Sequence, residues 1–212
     1  MNKVTKVQFG CGLSNPEGWY NFDSSPTLKF QRMLFFGMLF KRITQPSFPD
    51  NIVFGDVIKG LPLKDGSVDL LYSSHVLEHL SYDDFIIALK NSFKVLKKGG
   101  VFRIVMPDLK QLVDAYLENK QQNNPLASVN FINNTLMGVK SRDKSIKSLV
   151  FRAFGNTNHL WLWDYESTEK MLKEVGFESV RKCAFNDSSV QDFKEVESED
   201  RFVGSLAIEA IK

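Results

Sequence analysis

The sequence predicts an α/β fold, a mostly parallel sheet with helices on its faces, and three observations carry that reading. Short apolar runs bounded by turn residues recur through the first half of the chain. Between two of them lies a strongly periodic helix, the alternation that parallel sheets require. Two further strand-like runs close the sequence, joined by a polar stretch long enough for an antiparallel hairpin.

Residues 7–10 (VQFG) form the first strand candidate and end at glycine. WYNFD, ending at Asp23, is the second, and residues 51–57, 67–74 and 100–107 follow. The helix between the last two starts at Ser81, with Asp84 as capping-box partner. Phe85, Leu89, Phe93 and Leu96 recur along one face. Lys94, Lys97 and Lys98 stand where the helix dipole favours cations, and Gly99 supplies a left-handed stop. Asp108 caps a further helix whose expected buried face is Leu109, Leu112, Val113 and Tyr116. From 121 to 158 periodicity weakens, which predicts an inserted cover region with short helices inside a single domain spanning 1–212. Residues 164–175 predict a helix stopped by Gly176, and 181–186 and 204–212 the closing strands.

Composition narrows the function classes. The 212 residues carry 27 basic and 25 acidic side chains, so little net field exists to attract nucleic acid. Cys11 and Cys183 are the only cysteines, too few for a disulfide framework or a cysteine zinc site. A strand-like run beginning at Lys6 leaves no room for a signal peptide, and the apolar stretch 33–40 is too short to span a bilayer. A cytoplasmic protein is the expectation. Oligomeric state has no signature in the sequence.

Gly10-Cys11-Gly12 ends the first strand, where glycine lets backbone approach a ligand at the carboxyl edge of a sheet. Asn15 occupies the place of the third glycine of a dinucleotide fingerprint. Asp23 follows Gly12 by only 11 residues, against about 20 in that fingerprint, so no full helix fits and an NAD enzyme is disfavoured. Asp23 nevertheless stands at a strand end, where a carboxylate can accept from ribose hydroxyls, and Asp56 is placed to accept from an adenine amino group.

Taken together, FGCG, GWYNFD, GDVIKGLPLKDGSVDLLYSSHVLEHL and VLKKGGVFRIVMPDL resemble the class I S-adenosylmethionine-dependent methyltransferases, in their small type-11-like branch. The resemblance implies a Rossmann-like, seven-stranded, mostly parallel sheet with an antiparallel last strand, helices on both faces, and S-adenosyl-L-methionine as cofactor. It implies that Phe9, Gly10, Cys11 and Gly12 lie against the cofactor, with Gly10 and Gly12 at the methionine end. Asp23 would take the ribose, Asp56 and Val57 the adenine, and Ser74 and His75 would face the methionine moiety and the acceptor. The short spacing before Asp23 departs from the class and bears on its first helix. The branch suggests a small-molecule or saccharide acceptor; the rival reading is a non-catalytic module that binds the cofactor or a membrane surface.

Two histidines are candidate catalytic residues. His75 follows the fourth strand beside the glycine turn, and an imidazole there can accept a proton near neutral pH. His159, in His159-Leu160-Trp161-Leu162-Trp163, has aromatic company and is expected to line the acceptor side. His75-Val76-Leu77-Glu78-His79 also spells H-x-x-E-H, a zinc-hydrolase motif. That chemistry needs both histidines on one helix face. Here the motif follows a strand, so no metal is expected, and Glu78 and His79 read as turn and capping residues. Residues 28–42 are apolar with basic flanks (Lys29, Arg32, Lys41, Arg42), as in a membrane-surface helix. A helix packed over the cofactor is the preferred reading.

Overall fold

The computed structural model describes residues 4–33, 47–141 and 158–212. Its strands are β1 (Lys6–Phe9), β2 (Trp19–Asp23), β3 (Ile52–Phe54), β4 (Val68–Ser74), β5 (Leu96–Pro107), β6 (Ser179–Cys183) and β7 (Ser205–Ile211). They form one seven-stranded sheet in the order β3-β2-β1-β4-β5-β7-β6. The pairs from β3 through β5 are parallel, and β7 runs antiparallel to both its neighbours. Central parallel strands are buried on both faces, which is why β1, β4 and β5 read as nearly continuous apolar runs.

The helices are α1 (Pro26–Gln31), α2 (Tyr82–Val95), α3 (Leu109–Gln121), α4 (Ala127–Thr135) and α5 (Tyr165–Val175). Phe85, Ala88 and Leu89 of α2 and Leu172 of α5 pack onto Val7, Leu71, Phe102, Ile104 and Ile208 from one face of the sheet. The other face, with Leu70, Tyr72, Val105 and Ala207, is covered by Phe193 on a short 3-10 turn, Gln191–Glu195. Glu195 accepts from Trp19 Nε1 at 2.7 Å and from Lys6 Nζ at 2.6 Å, pinning that turn to the sheet. Arg103 of β5 is fully buried on the same face. It pairs with Glu197 and Glu209, donates to the Ala184 carbonyl at 2.7 Å, and so ties the 184–204 segment down. Among the described residues no helix is long and apolar enough to cross a membrane.

Several sequence expectations shift. The Ser81 hydroxyl caps α2 by accepting from the Asp84 N–H, and Asp84 takes the Ser81 hydroxyl proton in return. The helix stops at Val95, because Leu96 already pairs with Val68 in the sheet. Leu70 next pairs with Val101, so Lys97–Gly100 bulge out of β5 and do not extend the helix. Of the expected cations Lys94 does lie in the last turn, and Lys212 adds another, its Nζ donating to the Phe93 and Leu96 carbonyls. β3 is shorter than expected, which leaves Asp56 two residues beyond its end, and β6 begins and ends earlier than 181–186. Asp108 does cap α3, accepting from the Lys110 N–H at 2.9 Å, yet no residue of that helix is fully buried. Among the described residues its apolar side meets α4, with the Tyr116 and Phe131 rings 5.5 Å apart. Of the predicted cover, 142–157 lie outside the described residues; the described part holds α4. The apolar stretch 28–42 contributes α1, and 34–42 also lie outside them. No helix joins β1 to β2, as the short spacing required: Cys11 N–H donates to Phe22 O at 3.1 Å, and Ser14 N–H to Cys11 O at 2.9 Å.

Candidate functional site

Because β1 to β4 run parallel, the residues following each strand collect along one edge of the sheet, where α/β folds bind ligands. Gly10-Cys11-Gly12 follow β1, Asp23 ends β2, Asp56 follows β3, and Ser74 and His75 end and follow β4. All the sequence-predicted cofactor residues therefore share this edge, and the physical reasons differ from one to the next.

Gly10 has φ +63, and a Cβ placed there would lie 2.1 Å from Val76 Cγ2. Gly12 has φ +57 with nothing within 4 Å of its would-be Cβ, so space lies open before the turn. Phe9 turns its ring into the core against Phe102, leaving only its backbone to the edge. Asp23 is nearly buried and holds the turn: Oδ2 accepts from Gly12 N–H at 2.9 Å and Oδ1 from Ser25 N–H at 2.7 Å. Burial, reinforced by the Asp23 carboxylate, pushes the Cys11 thiol up to about 12, so it is a neutral thiol at physiological pH. Asp56 accepts from Ile58 N–H at 3.0 Å and faces Lys59, while the Asn91 amide holds the Val57 and Ile58 carbonyls from below. An open, glycine-lined recess with a carboxylate on its wall fits S-adenosylmethionine, whose ribose and amino groups are hydrogen-bond donors.

His75 sits in the turn after β4 with φ 53, a left-handed conformation rarely taken by residues other than glycine. Its Nε2 is 2.9 Å from the Arg201 carbonyl, and its Nδ1 is 3.3 Å from Glu78 Oε1. Burial works to lower its pKa, but the Glu78 carboxylate and the Arg201 carbonyl outweigh this and the net direction is up. Both nitrogens are thus engaged. His159 is buried 3.9 Å from Glu78 through Nε2. Burial holds its pKa below the usual value against the pull of Glu78.

The residue that sequence reasoning passed over is Glu78. It is 1% exposed; its Oε1 has the His75 ring at 3.3 Å and its Oε2 has no hydrogen-bond partner. The three histidines of the chain gather round it: His75, His159, and His79, whose ring lies 5.0 Å from that of His159. The Glu78 carbonyl receives the Leu160 and Trp161 N–H groups, which brings the 159–161 segment to the turn. Beside it, Trp161 is 44% exposed and meets the Tyr82 ring edge-on at 5.2 Å. H-x-x-E-H was the available signal, but the sequence could not show that His159, some eighty residues on, joins Glu78 and His79.

A family model described as a methyltransferase domain matches residues 38–104. No curated protein matches the chain. Among solved structures, a SAM-dependent methyltransferase from Archaeoglobus fulgidus aligns with 100% of this chain and 87% of its own, at 15% identity and a TM-score of 0.50. A chain from the complex between the Haloferax volcanii Trm112 methyltransferase activator and a proposed methyltransferase aligns with 99% of this chain and 82% of its own, at 16% identity and a TM-score of 0.50. At such identities the similarity is one of fold. The matched stretch is that of a methyltransferase domain, and the sheet order and fold are similar to those of class I S-adenosylmethionine-dependent methyltransferases.

Proposed function

We propose that this chain is an S-adenosylmethionine-dependent methyltransferase whose acceptor is a small molecule or saccharide held beyond the carboxyl ends of β1, β2 and β4. The observation that carries the reading is the convergence on one sheet edge of the open Gly12 turn, the Asp23 carboxylate and the His75 turn. In this reading Gly10 and Gly12 hold the methionine end, with the Phe9 and Cys11 backbone completing the turn. Asp23 accepts from the ribose, Asp56 and Val57 border the adenine, and Ser74 and His75 face the reacting side.

S-adenosylmethionine supplies an electrophilic methyl on a sulfonium, so the protein's main task is alignment of the acceptor. His75, with both nitrogens engaged, shapes the acceptor side more readily than it takes a proton. The exposed Trp161, braced by Tyr82, offers an aromatic ledge suited to the apolar face of a sugar ring. His159 lines the acceptor side beside that ledge, and the described part of 121–158, which holds α4, serves as cover.

The test is uptake of label from radiolabelled S-adenosylmethionine by fractions of a metabolite and glycan extract, alongside calorimetry with the cofactor and with NAD. Label should enter a small-molecule or glycan fraction, NAD should be silent, and Asp23→Ala should weaken cofactor binding by about 1–3 kcal/mol. Label entering only protein or nucleic acid, or an Asp23→Ala variant with unchanged affinity, would overturn the assignment.

A further inference from the structure

A carboxylate buried without donors is costly, and it persists where a cation completes it. Glu78, 1% exposed, has only the half-buried His75 ring near Oε1, at 3.3 Å, and no partner at Oε2; His159 Nδ1 is likewise buried without a hydrogen-bond partner. Glu78, His79 and His159 each bring one ligand atom within 4.8 Å of the other two. Donors around a tetrahedral zinc lie about 3.3 Å apart, from bond lengths near 2.0–2.2 Å, so a rotamer-scale inward movement closes the set.

The surrounding hydrogen bonds hold these side chains in the way that metal sites hold theirs. His79 Nδ1, carrying the proton, donates to the Asn158 carbonyl at 3.2 Å, which fixes the ring and leaves Nε2 for a ligand bond. The His159 N–H donates to Leu136 O at 3.3 Å, and the next two N–H groups donate to Glu78 O at 2.8 and 3.2 Å. Two separate parts of the chain are thus locked together by main-chain contacts at the place where the three side chains meet.

We propose that Glu78, His79 and His159 form a binding site for one divalent transition metal, with a donor set of two imidazoles and one carboxylate. That set suits zinc, cobalt, iron and nickel better than magnesium or calcium, which take oxygen ligands. Three protein ligands leave a coordination position open; His75 contacts Glu78 Oε1 at 3.3 Å but does not bring a ligand atom into the cluster of three. This differs from a zinc hydrolase reading of H-x-x-E-H, because its first histidine is not a ligand and the second one comes from residue 159. The sequence expectation of no metal rested on His75 lying in a strand-to-helix turn and not on one helix face with His79; the proposed set does without His75.

The test begins with the full chain stripped by a strong chelator and checked by circular dichroism. Cobalt(II) is titrated in while visible absorption is recorded, and zinc is then added in competition, both without S-adenosylmethionine. One equivalent of cobalt should bind, give d–d bands of a low-coordinate nitrogen and oxygen site, and be displaced by zinc. His79→Gln and His159→Ala should each weaken binding by at least ~100-fold, while His75→Ala keeps it. If His159→Ala does not fold, the half-buried His79→Gln still reads the site. Absence of cobalt bands and of bound zinc, or binding unchanged in His79→Gln, would overturn the proposal. Since no cofactor or turnover enters the readout, that failure would leave the methyl-transfer reading untouched.

Discussion

Replacing Gly10 with alanine separates two physical demands that meet at one residue. The backbone there has φ +63, and an L side chain in that region costs about 1–2 kcal/mol. The added methyl would also lie 2.1 Å from Val76 Cγ2 and 3.1 Å from its Cβ, overpacking worth about 1–3 kcal/mol. Gly10→Ala should therefore destabilise by about 2–5 kcal/mol, within the ~5–15 kcal/mol typical of a domain. Urea unfolding of Gly10→Ala, Val76→Ala and the double variant resolves the parts. The double variant should be more stable than the sum of the singles by about 1–3 kcal/mol, because the clash is gone while the backbone cost remains. Gly12→Ala provides the contrast. With φ +57 but open space in front, it should lose only the backbone term in stability. It should lose cofactor affinity heavily, since its methyl occupies the recess. Additive losses within ~0.5 kcal/mol at positions 10 and 76 would refute the steric reasoning.

Three further outcomes follow from the same contacts. Arg103→Met should destabilise by about 3–5 kcal/mol, because Glu197 would stay buried without its cation and Glu209 would be left with Arg181; a loss below about 1 kcal/mol would contradict this. Asp164 caps α5, and the Ser167 hydroxyl and N–H hold its carboxyl below the usual value of 3.8. Its stabilisation is then complete above pH 3.8 and fades as pH falls through the lower folded value, so Asp164→Ala should cost about 0.5–2 kcal/mol at neutral pH and progressively less in acid. Burial raises the thiols of Cys11 to about 12 and Cys183 to about 11, so alkylation by iodoacetamide at pH 8 should be far slower than that of free cysteine. Fast labelling of either residue would show that its thiol is not protected.

Local chemistry was the legible part. Ser81 and Asp84 declared the start of α2, the nine residues between β1 and β2 excluded a helix, and the glycine turn and Asp23 do meet at the carboxyl edge of β1 and β2. The illegible part depended on contacts distant in sequence. Lys97 and Lys98 read as a helix end because cations favour one; the pairing of Leu96 with Val68 overrides that preference. Leu109, Leu112 and Tyr116 have helical spacing whether their face meets the core or α4. Arg103 stands in an apolar strand, and the partners that make its burial tolerable lie at 187, 197 and 209. Glu78 looked like a turn residue for the same reason.

The placement of β7 has a consequence for how the chain folds as it is made. This strand is the last in sequence of the seven, yet it lies between β5 and β6 and supplies both with their hydrogen bonds. Strands β1 to β5 can pair as they emerge, but β6 has no neighbour until residues 205–211 have left the ribosome. Until then one edge of β5 is open, with the Ile104 and Met106 side chains lacking the cover of Leu206 and Ile208. Arg103 also waits for Glu209. The late arrival of one strand thus sets a window in which a nascent chain offers an apolar, unpaired edge, the kind of surface that chaperones bind and that aggregation begins from.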